Sequence, residues 1–191
     1  DSGLMAFCTV NVVQPSTSLT IKEGSIYLHI KDTAKYTTEI YPTDTTDTIT
    51  WTSSNPSVVS VDETGTVKAK KIGSAKITAK TDSGIKLTRY VRVKLKTPTS
   101  VKAVKTSGST KSYKYSNVKV TWKKNSSAVK YYIYRRRLGK SKYTKIATTT
   151  TNKFINYNVK KGRTYYYKIV AVYSSSLCNS YKSPSAKIKL Q

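Results

Sequence analysis

Residues 51–81 read WTSSNPSVVSVDETGTVKAKKIGSAKITAKT. The stretch holds three short runs, 58–61, 66–70 and 75–81, in which apolar residues recur at or near every second position. Turn residues separate them: Asn55-Pro56 before the first, Gly65 before the second and Gly73 before the third. A period of two over runs this short is that of a pleated strand with one buried face. Trp51 is the large anchor of the region, since a buried Trp removes roughly 150–250 Å² from water. With Val61, Val67, Ile77, Ala79, Val91 and Val93 it makes the expected core. Working outward, further strands are predicted over 18–21, 26–30, 34–40, 48–52 and 85–93, and no segment shows a helical period. The chain therefore reads as all-β.

The order W-T-S-S-N-P-x-V-x-x-V-D, then G-T-V, then G-x-A-x-I-x-A runs from Trp51 to Ala79. It resembles the bacterial Ig-like group 2 family, and the resemblance covers about 14–95. The opening DSGLMAFCTVNV lies over DSGIKLTRYVRV at 82–93, so that Asp1-Ser2-Gly3 matches Asp82-Ser83-Gly84 and Val10 and Val12 match Val91 and Val93. Residues 1–13 are accordingly expected to be the last strand of a preceding copy.

Beyond a short linker, KTPTSV with Pro98, the runs VKVTWKK, AVKYYIYRR and VKKGRTYYYKIVAV recur as strands. They resemble the fibronectin type III family over about 96–191. The resemblance implies that Trp122 is the Trp of the second strand. It also implies that Tyr165 closes a tyrosine corner, with Lys161 standing where the family carries Pro. Alternation places Tyr131, Ile133, Tyr165, Tyr167 and Ile169 inward. The expected architecture is two tandem Ig-like β-sandwiches in an elongated arrangement, monomeric.

Charge is distributed unevenly. The chain carries 35 Lys or Arg against 9 Asp or Glu, net +26, and no acidic residue follows Asp82. Residues 95–191 hold 23 basic residues and no acidic one, so this domain cannot form an internal side-chain ion pair. Two explanations stand: lysine-rich composition that also protects strand edges, or attraction to a polyanion such as a wall polymer, an acidic host glycan or extracellular DNA. Nucleic acid is not the expected physiological partner, because no element for reading base edges is visible.

Sixteen tyrosines interleave with this charge. On the strand around 130–137, Tyr132 and Tyr134 point away from Tyr131, and Tyr166 points away from Tyr165 and Tyr167. With Arg135, Arg136, Arg137, Lys140, Lys142 and Lys168 they form the candidate binding set, a composition found at interfaces and suited to sugar stacking or base stacking.

Groups for catalysis or metal binding are scarce. His29 is the single histidine, in an alternating run. Asp44 and Asp47 in PTDTTDT, and Asp62 and Glu63 in a turn, lack calcium-loop spacing and read as solvated loop charges. Cys8 and Cys178 lie 170 residues apart, with no metal-ligand spacing and no histidine partner. No cofactor, metal or enzymatic activity is expected, and no RGD sequence is present. No apolar run approaches the roughly 20 residues that span a bilayer. The two resemblances imply a segment of a secreted or surface-anchored bacterial protein. Three roles remain open: a stalk or adhesion module contacting polyanions, accessory domains of a secreted carbohydrate-active enzyme, or a module that binds a host protein such as immunoglobulin.

Overall fold

Sixteen strands and one 3-10 turn make up the regular structure of residues 12–106 and 114–191, which the computed structural model describes. The described residues form two units, one of 12–26, 31–70 and 74–91, the other of 27–30, 71–73, 92–106 and 114–191. The strand expected at 1–13 falls almost wholly outside the described residues.

The first sandwich comprises β1 (Ser18–Ile21), β2 (Ile26–Leu28), β3 (Thr33–Lys35), β4 (Thr38–Tyr41), β5 (Ile49–Ser53), β6 (Val59–Val61), β7 (Thr66–Ala69), β8 (Gly73–Thr81) and β9 (Lys86–Val93). They order as β1-β4, β3-β7-β6 and β2-β9-β8-β5. Alternation along β8 buries Ala75, Ile77, Ala79 and Thr81, while Val67, Val91 and Val93 are buried on neighbouring strands.

Three sequence expectations change here. Trp51 and Val61, expected in the core, are only half-buried. Each lies on an edge strand, β5 and β6, with one flank open. The single strand predicted over 34–40 is two strands in different sheets: Ala34 pairs with Val67 of β7, and Ile40 with Leu19 of β1. The switch is made at Tyr36, 1% exposed, whose N–H donates to Gly65 O at 3.0 Å. Its ring stacks on Trp51, centroids 6.0 Å apart and planes 16° from parallel. Burial of Tyr36, rather than of Trp51, fills the gap between the sheets.

The third change concerns the loop acids, which are structural rather than merely solvated. Asp47 accepts from the N–H (3.0 Å) and hydroxyl of Ser16 and from the N–H of Ser83 (3.2 Å). Asp82 accepts from the Thr48 N–H (2.8 Å), and Asp62 from the N–H groups of Thr64 and Thr66 (3.0 and 2.9 Å). Hydrogen bonds from serine hydroxyls and amides hold the Asp47 carboxyl well below the usual carboxylate range.

The second sandwich comprises β10 (Lys102–Thr106), β11 (Tyr115–Thr121), β12 (Lys130–Arg137), β13 (Thr144–Thr149), β14 (Lys153–Lys160), β15 (Arg163–Val172) and β16 (Ala186–Leu190). A three-stranded sheet, β10-β11-β14, and a four-stranded one, β13-β12-β15-β16, make a fibronectin type III-like sandwich. Trp122 directly follows β11, is 3% exposed, and meets Tyr131 edge-on at 5.2 Å. Tyr131, Ile133, Tyr167 and Ile169 are buried with it. Tyr165 Oη donates to Lys160 O at 3.3 Å and closes the tyrosine corner.

Candidate functional site

The outer face of the four-stranded sheet is set by β12 and β15. With Tyr131 and Ile133 buried on one side, alternation sends Lys130, Tyr132, Tyr134 and Arg136 to the other. The antiparallel register then places Tyr134 opposite Lys168, and Arg136 opposite Tyr166. Rings and cations thus meet across the strands as well as along them.

Each outward ring carries at least one cation. Lys145 Nζ lies 4.4 Å from the Tyr132 centroid, Lys182 Nζ 4.5 Å from Tyr134, and the Arg136 guanidinium 4.5 Å from Tyr166. Tyr143 sits between Lys168 (5.1 Å) and Arg136 (5.3 Å). With no Asp or Glu in this unit, ring faces and backbone carbonyls take the place that carboxylates usually fill. Each contact contributes about 0.5–1 kcal/mol at exposed sites. Two like charges about 7 Å apart in water repel by roughly 0.6 kcal/mol, so the lattice of rings offsets self-repulsion without neutralising the field.

The expected binding set divides in two. Tyr132, Tyr134, Arg136, Tyr166 and Lys168 share the outer face. Arg135 and Arg137 alternate to the other side. With Lys140 and Lys142 of the β12–β13 hairpin they line a cleft of about 450 Å³ at the end of the sandwich, to which Arg136 and Tyr165 also contribute. Sequence reasoning missed Lys145, which a β-bulge decides. The register shifts between Ile133/Ala147 and Tyr134/Lys145, leaving Ile146 unpaired. Ile146 packs against the core, and Lys145 faces outward opposite Tyr134. Tyr143 and Lys182 were also missed, since both lie in loops where alternation gives no direction.

The remaining reactive groups are not gathered. His29 is half-buried on its strand end. Cys178 is buried, and burial pushes its thiol up, away from thiolate chemistry. Among the described residues no three His, Cys, Asp or Glu side chains gather as metal ligands, and no helix is long and apolar enough to cross a membrane.

Residues 15–91 match the family model of the bacterial Ig-like domain (group 2). The first sandwich belongs to this family. Curated proteins are similar to this chain over part of its length. An uncharacterized protein of Clostridium acetobutylicum is 37% identical over 84 residues, 44% of this chain and 9% of its own length. The lacto-N-biosidase of Bifidobacterium bifidum is 41% identical over 64 residues, 34% of this chain and 6% of its own. The A type blood N-acetyl-alpha-D-galactosamine deacetylase of Flavonifractor plautii is 36% identical over 78 residues, 40% and 10%. The chain therefore spans a tenth or less of these relatives. Among solved structures, a Fn3-like protein from Clostridium thermocellum is similar over 51% of this chain and 97% of its own, 27% identical, with a TM-score of 0.41.

Proposed function

We propose that the chain is a non-catalytic accessory segment of an extracellular bacterial protein, and that its second sandwich holds that protein on a polyanionic glycan. The observation that carries this reading is the cation–tyrosine lattice on the outer face of β12 and β15, in a unit without a carboxylate. Lys and Arg meet the acidic groups of such a polymer, and the flat amphipathic rings meet its sugar faces. The lattice has no counterpart in acid–base or metal chemistry, and a spacer needs no such concentration of one sign. Two of the relatives are named as enzymes acting on carbohydrates, which favours an accessory role beside such an enzyme over a pure stalk.

The test is retention of the 191-residue chain on immobilised heparin, teichoic acid and mucin across a salt series. Retention at low salt that fades as the Debye length shrinks from about 10 Å at 0.1 M to 3 Å at 1 M is the expected outcome. The triple variant Tyr132→Ala, Tyr134→Ala, Tyr166→Ala should elute earlier on at least one of these polymers despite unchanged net charge. Flow-through of the parent chain on all three at low salt overturns the reading.

A further inference from the structure

We infer that the cleft at the β12–β13 hairpin is a discrete oxyanion pocket, which takes a single sulfate or phosphate ester group of a glycan. The inference deepens the polyanion reading by naming the group that is read, and the pocket can fail while the sheet face still binds. Three observations separate it from a diffuse charged surface.

First, five basic residues line one cleft of about 450 Å³, namely Arg135, Arg136, Arg137, Lys140 and Lys142, with Thr144, Ile146 and Tyr165 completing the wall. No Asp or Glu side chain in the unit competes for them. Second, two of the three guanidinium groups, those of Arg135 and Arg136, are held in place. Arg135, on the inward side of β12, lies over the Tyr165 ring at 5.4 Å. Arg136 donates through Nη1 to Lys140 O at 2.7 Å, while Lys140 N–H donates to Arg137 O at 3.1 Å, so the turn that carries the lysines is closed. A fork already fixed loses little freedom when it meets an oxyanion, and its planar donors match two oxygens at once. Third, Tyr165 is itself fixed by its corner hydrogen bond to Lys160 O, so the wall of the cleft is part of the sandwich core.

Sulfate and phosphate esters fit this donor set better than carboxylates. Their three terminal oxygens can be shared between two forks and a lysine, whereas a carboxylate offers two.

The experiment is a titration of the full chain with sodium sulfate and with methyl phosphate at constant ionic strength, reading backbone amide and arginine Nε–Hε NMR shifts. The expected result is saturable shifts confined to 135–146 and Tyr165 for at least one of the two anions, and the stronger anion identifies the ester. Arg135→Lys keeps the charge but loses the fork, and should weaken binding by about tenfold. Because Arg135 packs on a core ring, Lys140→Gln with Lys142→Gln supplies a second test on exposed positions, also expected to weaken binding. Tyr132→Ala with Tyr134→Ala should leave the small-anion titration unchanged even where glycan retention falls. Shifts that grow linearly without saturating, or equal affinity in all variants, overturn the pocket. Hairpin shifts stronger with duplex DNA than with a sulfated glycan of equal charge overturn the glycan as its source.

Discussion

At the scale of single residues, stability in the first sandwich turns on Tyr36, Gly65 and Asp47. Burial pushes the Tyr36 hydroxyl up to about 12, and Oη has no hydrogen-bond partner among the described residues. Tyr36→Phe removes that unpaired polar atom and keeps the stack on Trp51, so thermal unfolding should show stability unchanged or raised by up to about 1 kcal/mol. Gly65 is the opposite case. Its φ is +81°, and a Cβ would stand 2.8 Å from Tyr36 O and 2.9 Å from the Trp51 ring. Gly65→Ala should cost more than about 2 kcal/mol, read by denaturant titration of Trp51 fluorescence. That glycine was visible in the sequence as a turn residue, but its close approach to the Tyr36 carbonyl and the Trp51 ring was not, because the contacts are made by residues 29 and 14 positions away. Asp47 makes the first sandwich acid-sensitive. Its folded carboxyl lies below the ordinary range, so its stabilising effect is complete above about pH 4 and is lost as pH falls toward the depressed value. Asp47→Asn should lower the melting midpoint at pH 7 by several degrees and flatten its fall between pH 5 and 2.

At the scale of elements, the strand pattern of residues 130–137 and 163–172 carried most of the information. Alternation separated Tyr131, Ile133, Tyr165 and Tyr167, all buried, from the outward set, because a strand packed on one side has no other way to satisfy its apolar residues. The same logic failed at 34–40, where Tyr36 interrupts the pairing and hands the chain to a second sheet. It also failed at Lys145, whose side is set by a bulge that no local pattern announces. A test belongs here: Lys145→Glu places a carboxylate against the Tyr132 ring, removing a cation–π contact and introducing the unit's first acid. Elution from heparin should shift to clearly lower salt, by more than the same change at Lys114 on the other sheet's border, with the fold intact by far-UV circular dichroism. Equal shifts at the two positions would mean that net charge, not the lattice, sets retention.

At the scale of the molecule, the two units differ in what protons and salt do to them. Each holds one Trp, Trp51 and Trp122, so Trp51→Phe and Trp122→Phe variants report them separately. Residues 95–191 have no side-chain carboxylate in either the folded or the unfolded state, so no proton is taken up by Asp or Glu on unfolding there. The Trp122 midpoint should be nearly flat from pH 5 to pH 2, while that of Trp51 falls. Adding salt from about 10 mM to 200 mM should raise the Trp122 midpoint, since the like charges are then screened beyond about 8 Å. An unchanged midpoint would show that ring contacts already offset the repulsion. The sequence by itself determined that the chain is two β-sandwiches, which residues of β12 and β15 alternate inward, and that one domain carries charge of a single sign, because these follow from local periodicity and composition. Only the tertiary structure decided which cations share a face with which rings, that the hairpin forms a cleft with Arg135 and Arg137 on its wall, and that Tyr36 lies deeper than Trp51. Those outcomes depend on register, bulges and strand position within a sheet, and such long-range pairings are fixed by packing rather than by neighbours in the chain.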